Sequence, residues 1–379
     1  MILNPIRESE KTVKSKEQKV LIIRNAWEFG GAEMYTLNLA IALRKNGYAP
    51  VVVTKVPELL ERCRHAKISL KKGIWYKKQG WGRAYKVLGP LITAWYLWII
   101  VISKIDIVHA QGRDDFVFAT RAAKMLGKKV VWTDHADLKY IMQPHNKKVL
   151  RDSIVQLAQY TAGVIAVSDS EKKEILKQYH KFPNLVTIRN GVFLPATIKS
   201  VKKPNKIIIG STNRLVMAKG IAELIEAFSR ISDFDKCELW LVGDGEDKEE
   251  FVDLAKKLGV ASKVKFLGYK KDIWAYLGAF DIFVQASYHE AFSLSLIEAG
   301  VSGKAVIATK VGGNTEIINN QNGILVLIKD VDSLKDALNI FVSNPKVRQD
   351  KSRILKKFAV ANFDFDKLVK EKLIPIYEK

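Results

Sequence analysis

Residues 19–47 read KVLIIRNAWEFGGAEMYTLNLAIALRKNG and hold one complete strand, loop and helix. Lys19-Val20-Leu21-Ile22-Ile23 is a short apolar run, the pattern of a strand covered on both faces. The loop behind it ends in Gly30-Gly31. AEMYTLNLAIALRKNG then carries apolar residues at helical spacing and stops at Gly47, a common C-cap. A chain that alternates strand and helix in this way builds a parallel sheet with helices on both faces.

The unit recurs along the chain. Strand-like runs follow at Ala49–Thr54, Asp106–Ala110, Lys129–Thr133 and Gly163–Val167, with helical stretches between them. At residues 196–206 the pattern breaks into ATIKSVKKPNK, a polar, basic, Pro-containing stretch that suits a linker. A second alternating set then begins. Its strands are expected at Lys206–Gly210, Glu238–Val242, Lys263–Phe266, Asp281–Gln285 and Ala305–Thr309. Its helices are expected near 219–231, 246–258, 272–278, 294–302 and 332–343. The predicted organisation is a flexible N-terminus (1–18), a first domain (19–196), a linker (197–205) and a second domain (206–360). A C-terminal helical segment (361–379) packs back on the first domain. The fold class is α/β, with two doubly wound, Rossmann-like domains facing each other across a cleft. Ligands of such domains sit in that cleft, at the carboxyl ends of the strands.

With 379 residues, 48% of them hydrophobic and 27% charged, the chain has the composition of a soluble globular protein. Cys63 and Cys237 have no partner spacing, so neither a disulfide framework nor a structural zinc site is expected, and a cytoplasmic location is. No apolar signal core opens the chain. The formal charge of +22 is uneven: residues 1–200 carry 34 basic and 16 acidic side chains, residues 201–379 carry 28 and 24. Between Glu61 and Asp106 there is no acid at all, against ten Lys and Arg. Trp75, Trp81, Trp95 and Trp98 lie in the same stretch, with Tyr76 and Tyr85. A basic face of this kind suits nucleic acid, anionic lipid or an anionic substrate.

Residues 87–103, VLGPLITAWYLWIIVIS, are too few to span a bilayer, which takes ~20 apolar residues. Pro90 fits the first turn of a helix. Two readings stay open: a buried helix of the first domain, and a segment whose end docks on an anionic membrane, where lysines and aromatic rings are at home.

The second domain carries the chemistry. Arg214 and Lys219, in GSTNRLVMAKG (residues 210–220), follow a strand and open a helix. Two cations beside a helix N-terminus suit a diphosphate and can stabilise charge on a phosphate leaving group. LVGDG (241–245) ends a strand in a glycine-flanked turn, without the GxGxxG fingerprint of a nicotinamide enzyme. In SYHEAFSLSLIEAG (287–300), Glu290 belongs to a loop and Glu298 to the second turn of the helix that follows. With the loop preceding the helix, both acids border one cleft, and the Phe292–Leu294 amides at the helix start can take phosphate.

The order GGAE, TDH, NRLVMAKG, GDGE, SYHEAFSLSLIEAG and VGGNTEII resembles glycosyltransferase family 4, the retaining nucleotide-sugar-dependent enzymes of GT-B fold. It covers roughly residues 19 to 379. The resemblance implies that Arg214 and Lys219 bind the donor diphosphate. It further implies that Glu290 contacts donor-sugar hydroxyls, with Phe292, Ser293 and Leu294 near the phosphates, and that Glu298 holds the ribose. Gly30 and Gly31 would let the first-domain loop approach phosphate and acceptor, and His135 would lie near the reacting sugar. Two positions depart from the family: Ala291 stands where glycine is common, and Gln111 where a second histidine is frequent. His109 reads equally as a hydrogen-bonded histidine at a strand end.

The expected function is therefore retaining transfer of a sugar from a nucleotide diphosphate donor to a hydroxyl acceptor, a glycan or a lipid-linked precursor. The expected location is cytoplasmic and peripheral on the inner membrane face, with residues 62–104 meeting the anionic surface. No cofactor and no metal are expected: the histidines lack ligand spacing, and Asp233-Phe-Asp235 and Asp364-Phe-Asp366 read as surface acids. A sugar-nucleotide epimerase or a non-transferring binding protein of the same architecture is the alternative. A nucleic-acid-binding protein is a distant one, since it leaves the second domain's motifs unexplained, and nucleic acid is not expected as a partner.

Overall fold

A computed structural model describes residues 17–26, 29–74, 82–135, 148–179 and 182–379. The expected flexible N-terminus lies almost wholly outside these residues, as do Trp75, Tyr76, Trp81, His145, His180 and the side chain of Tyr85.

The first domain is built from strands β1 (Lys19–Ile23), β2 (Ala49–Thr54), β3 (Ser69–Lys72), β4 (Ile107–Ala110), β5 (Lys129–Asp134), β6 (Gly163–Ala166) and β7 (Leu185–Thr187). Among the described residues they form one parallel sheet in the order β3-β2-β1-β4-β5-β6-β7. Helices α1 (Gly31–Lys45), α2 (Pro57–His65), α3 (Gly82–Ile102), α4 (Arg113–Met125), α5 (Lys148–Ala158) and α6 (Asp169–Tyr179) cover it. The central strands bury nearly every side chain, β4 and β6 all of them, as strands covered on both faces must.

The second domain repeats the plan with β8 (Ile207–Thr212), β9 (Cys237–Val242), β10 (Val264–Gly268), β11 (Ile282–Gln285), β12 (Ala305–Thr309) and β13 (Ile324–Val326). These are parallel in the order β10-β9-β8-β11-β12-β13. The helices are α7 (Ile221–Ser229), α8 (Lys248–Lys257), α9 (Ile273–Ala279), α10 (Leu294–Val301), α11 (Asn314–Ile317), α12 (Val331–Ser343) and α13 (Pro345–Asn362). Strand order reverses between β1 and β4 and again between β8 and β11. At such points two loops part and leave a crevice for a ligand.

The chain crosses between domains twice, and the crossings hold each other. Val192 N–H donates to Phe363 O at 2.9 Å, and Phe365 N–H to Val192 O at 3.0 Å. Beyond them α14 (Phe365–Leu368), a π-helical turn (Val369–Leu373) and α15 (Ile374–Glu378) pack on the first domain. There Phe365, Val369, Leu373, Ile376 and Tyr377 share a core with β1, α1 and α2.

One expectation fails. Pro90 does not open a helix: α3 begins at Gly82, and Pro90 sits inside it, exposed. The missing amide removes one rung of the helix ladder, which an exposed face tolerates far better than a buried one. The buried reading of α3 holds for one face, where Ile92, Tyr96, Ile99 and Ile100 join the core.

Candidate functional site

The crevice between β8 and β11 is made by two loops that touch. After β8 the chain runs through Asn213 and Arg214 to a tight turn, Met217–Lys219, and into α7 through Gly220. Gly220 has φ +65°, and a Cβ there would lie 2.1 Å from Ala286 O. Tyr288 N–H donates to Ala218 O at 2.9 Å, which ties the same two loops again. This approach brings Lys219 Nζ within 2.7 Å of Glu290 Oε1.

Glu290 is held from a second side. Gln285, buried at the end of β11, donates from Nε2 to Glu290 Oε1 at 2.7 Å and to Ser287 Oγ at 2.9 Å. Asn213 Oδ1 lies 3.2 Å from the same nitrogen. From below, Gly313 N–H donates to Glu290 O, and a Cβ on Gly312, at φ +41°, would fall 1.9 Å from that oxygen. The Gly312-Gly313 pair therefore serves as the bed on which the Glu290 loop rests. Ala291 is not among the described non-glycine residues with positive φ, so the loop does not call for glycine there.

Ser293 caps α10, its hydroxyl accepting from Leu296 N–H at 3.3 Å. The first-turn amides of a helix have no partner within it and point outward. Glu298 lies one turn further along. Its carboxylate has no hydrogen bond or ion pair among the described residues, and burial pushes its pKa up to about 7. A half-buried carboxylate without a partner is poorly compensated, and in a cleft it is a ready acceptor for hydroxyl donors.

Arg214, Lys219, Glu290, Phe292, Ser293, Leu294 and Glu298 all line one cleft of about 1230 Å³ between the domains, joined by the Gly243–Glu246 turn. Gly30 and Gly31 line it from the first domain, and a Cβ on Gly31 would come 3.7 Å from Leu294 Cδ1. Arg214 lies 3.5 Å from Glu246 at the solvent edge. The Gly30 loop is fixed by buried Glu33, whose carboxylate accepts from Gly30 N–H at 2.9 Å and Arg24 Nε at 2.6 Å.

His135 is not among the residues that line the cleft. Its ring packs edge-on against Tyr35 at 4.9 Å, and Nε2 lies 3.2 Å from Gln111 Oε1. Burial, then Arg24 and His109, holds its pKa well below the usual histidine range, so the ring is neutral. Gln111 also meets Thr36 Oγ1 at 2.8 Å, linking His135 to α1. His109 is a core histidine between Tyr377 Oη at 2.5 Å and Thr133 Oγ1 at 2.7 Å. Asp233 and Asp235 pair with Lys236 and Lys263, Asp366 pairs with Lys45, and Asp364 caps α14.

Gln285, Asn213 and Glu33 escaped the sequence reading. Gln285 had one signal, a polar residue closing the apolar run IFVQ. Glu33 had another, its place three residues after the glycine that caps α1, where capping acids are common.

Comparison with known proteins gives two family matches that meet near the domain boundary. Residues 29–194 match the model for Glycosyltransferase Family 4, and residues 196–358 the model for group 1 glycosyl transferases. A lipopolysaccharide core biosynthesis glycosyltransferase of Rhizobium meliloti is 33% identical over 142 residues. That match covers 37% of this chain and 41% of the relative. An uncharacterized glycosyltransferase of Haemophilus influenzae is 23% identical over 365 residues, 92% of this chain and 97% of its own. Among solved structures, Anabaena HepE in complex with UDP superposes with a TM-score of 0.80 at 21% identity. The superposition covers 96% of this chain and all of HepE, and it shows the shared two-domain fold.

Proposed function

The chain belongs to the family 4 glycosyltransferases, enzymes of GT-B fold, and from that premise we propose retaining transfer from a nucleotide diphosphate sugar to a hydroxyl of a lipid-linked or cell-envelope glycan. The observation that carries the reading is the Lys219–Glu290 pair, set between Arg214 and the N-terminus of α10 with Glu298 one turn beyond. UDP is the nucleotide to test first, because the HepE neighbour was solved with UDP. The Rhizobium meliloti relative of lipopolysaccharide core synthesis supports a glycan acceptor.

In this reading the diphosphate lies over the first-turn amides of α10, where the helix dipole favours negative charge. Arg214 and Lys219 neutralise it, which takes the place of a metal. Lys219 turns from Glu290 to phosphate, and Glu290, still held by Gln285, accepts from sugar hydroxyls. Glu298 accepts from the ribose. Front-face transfer then breaks the bond from the anomeric carbon to phosphate oxygen and forms the bond to the acceptor oxygen on the same face. The acceptor proton passes to the departing phosphate. Glu290 positions the sugar and forms no covalent bond. His135, neutral and packed against Gln111, supports the cleft indirectly, since the Gln111 carbonyl accepts from Arg24 of the cleft lining. The acceptor enters from the side of Gly30 and Gly31. A cytoplasmic enzyme at an anionic membrane surface, met through residues 62–104, completes the proposal.

The test is nucleotide diphosphate release across a panel of donors, without and then with lipid-linked acceptors. Lys219→Ala and Glu290→Ala are each expected to lower acceptor-dependent release by at least about 100-fold, with unchanged melting curves. Wild-type rates in either variant would sink the assignment.

A further inference from the structure

The outer face of α3 has the composition of an interior. From Leu88 to Ile102 the exposed positions are Leu88, Pro90, Leu91, Ala94, Trp98, Val101 and Ile102, with no charged side chain among them. Leu91 is 66% exposed, Trp98 56%, Val101 60% and Ile102 55%. The strip runs ~21 Å along the helix. Single exposed apolar residues are ordinary, but a continuous strip marks a surface that something covers. A helix that is apolar all round is normally enclosed on every side, and here only the inner face is.

The charge of the flanking sequence points to the cover. Residues 62–105 contain ten Lys and Arg and no acid. Arg64, Lys67, Lys72 and Lys104 are exposed, the last directly after α3. A second copy of the chain would set two such basic segments against each other with no acid to answer them. Nucleic acid would meet the lysines but offers nothing to a strip of Leu, Trp, Val and Ile. An anionic leaflet satisfies both, with an apolar interior below and negative headgroups around. Trp98 suits the boundary between them. Among the described residues no helix is long and apolar enough to cross a membrane, and the inner face of α3 is occupied by core, so the helix lies along the surface.

We infer that the exposed face of α3, centred on Leu91, Trp98 and Ile102, docks in the plane of an anionic lipid bilayer. The inference names the contact face for the membrane partner of the proposed function and rests on that reading, but its test does not depend on transfer.

The experiment is flotation with vesicles of phosphatidylcholine mixed with phosphatidylglycerol, and with phosphatidylcholine alone, in low and high salt. The wild type is expected to float with the mixed vesicles in low salt and to lose binding in high salt. The triple variant Leu91→Gln/Trp98→Gln/Ile102→Gln should partition at least about tenfold less. Its melting temperature and UDP affinity should stay those of the wild type, since all three residues lie outside the core and the cleft. Lys67→Glu/Lys72→Glu/Lys104→Glu should weaken binding to mixed vesicles alone. Equal flotation of the apolar triple variant, or no flotation of the wild type, overturns the inference. So does a wild-type dimer, split by that variant, that binds no lipid. Flotation without UDP binding upholds the docking face and removes the donor reading instead.

Discussion

Glu298 shows how a single residue reports on the ligand. Burial raises its carboxyl to about 7, and among the described residues it has no hydrogen-bond or ion-pair partner. A raised acid favours the neutral form in the folded protein. Its stabilising contribution is therefore complete below the ordinary carboxyl range and is lost as pH rises through about 7. Partial exposure to the cleft limits the effect to about 1–3 kcal/mol. Ribose hydroxyls donating to the carboxylate would favour the charged form instead, so binding near pH 6.5 should expel a proton. Calorimetry of UDP binding in buffers of different ionisation heat should show that release. Glu298→Gln should abolish it, weaken UDP by about 10–100-fold at pH 8, and raise the melting temperature of the unliganded protein at that pH. A buffer-independent heat in the wild type would remove Glu298 from the nucleotide site.

At the scale of elements, ten of the strands could be read from the sequence: nine lie inside their sheets, and the tenth, the edge strand β10, carries apolar Val264, Phe266 and Leu267. Three could not: β3, β7 and β13 are edge strands of only three or four residues, too short to stand out even where, as in β13, the residues are apolar. Helix α13 was missed for a related reason. It buries little beyond Leu355 and Ala359 along 18 residues, so its apolar stripe is too thin to stand out. The donor wall was legible because its residues cluster in sequence around strand ends. Gln285 and Asn213 were not: Gln285 reads as the last residue of an apolar run, and Asn213 meets it only once β8 and β11 are neighbours. The close approach of the loops behind those strands depends on Gly220. Gly220→Ala should cost about 3 kcal/mol or more, from the left-handed backbone together with the clash at Ala286 O. Gly259 also has positive φ, but a Cβ there meets nothing within 4 Å. Gly259→Ala should cost only about 1–2 kcal/mol. Urea unfolding of both variants, with UDP affinity alongside, separates strain from loop displacement; equal costs would mean that the two loops do not depend on this approach.

In the whole molecule, the two domains must be held at one mutual angle for donor and acceptor to meet. Among the ties across the domain boundary, two involve carboxylates of functional interest. In the first, Tyr269 beyond β10 donates to Glu58 on α2 at 2.5 Å, and Arg62 shares the same carboxylate. The second gives a role to Glu316, the acid of the VGG-x-x-E segment, which the sequence placed but could not explain. Its carboxylate accepts from Ser170 N–H at the start of α6 at 2.8 Å and from Arg189 Nε at 2.9 Å. Arg189 in turn reaches Asp169 at 2.6 Å. Glu316 thus caps a first-domain helix from the second domain, a few residues from the crossing at Val192. A charge-assisted bond to a helix N-terminus is worth more than an exposed ion pair, so this tie should set the angle. Glu316→Ala removes it without touching the donor wall. UDP affinity should stay within about threefold of wild type, because the residues proposed to grip it belong to one domain. Transfer, which needs both domains in register, should fall roughly tenfold in kcat. The radius of gyration in solution should spread to larger values in scattering measurements. A variant that loses UDP binding and kcat together would place Glu316 in the donor site, and one that keeps full kcat would mean the angle is set elsewhere.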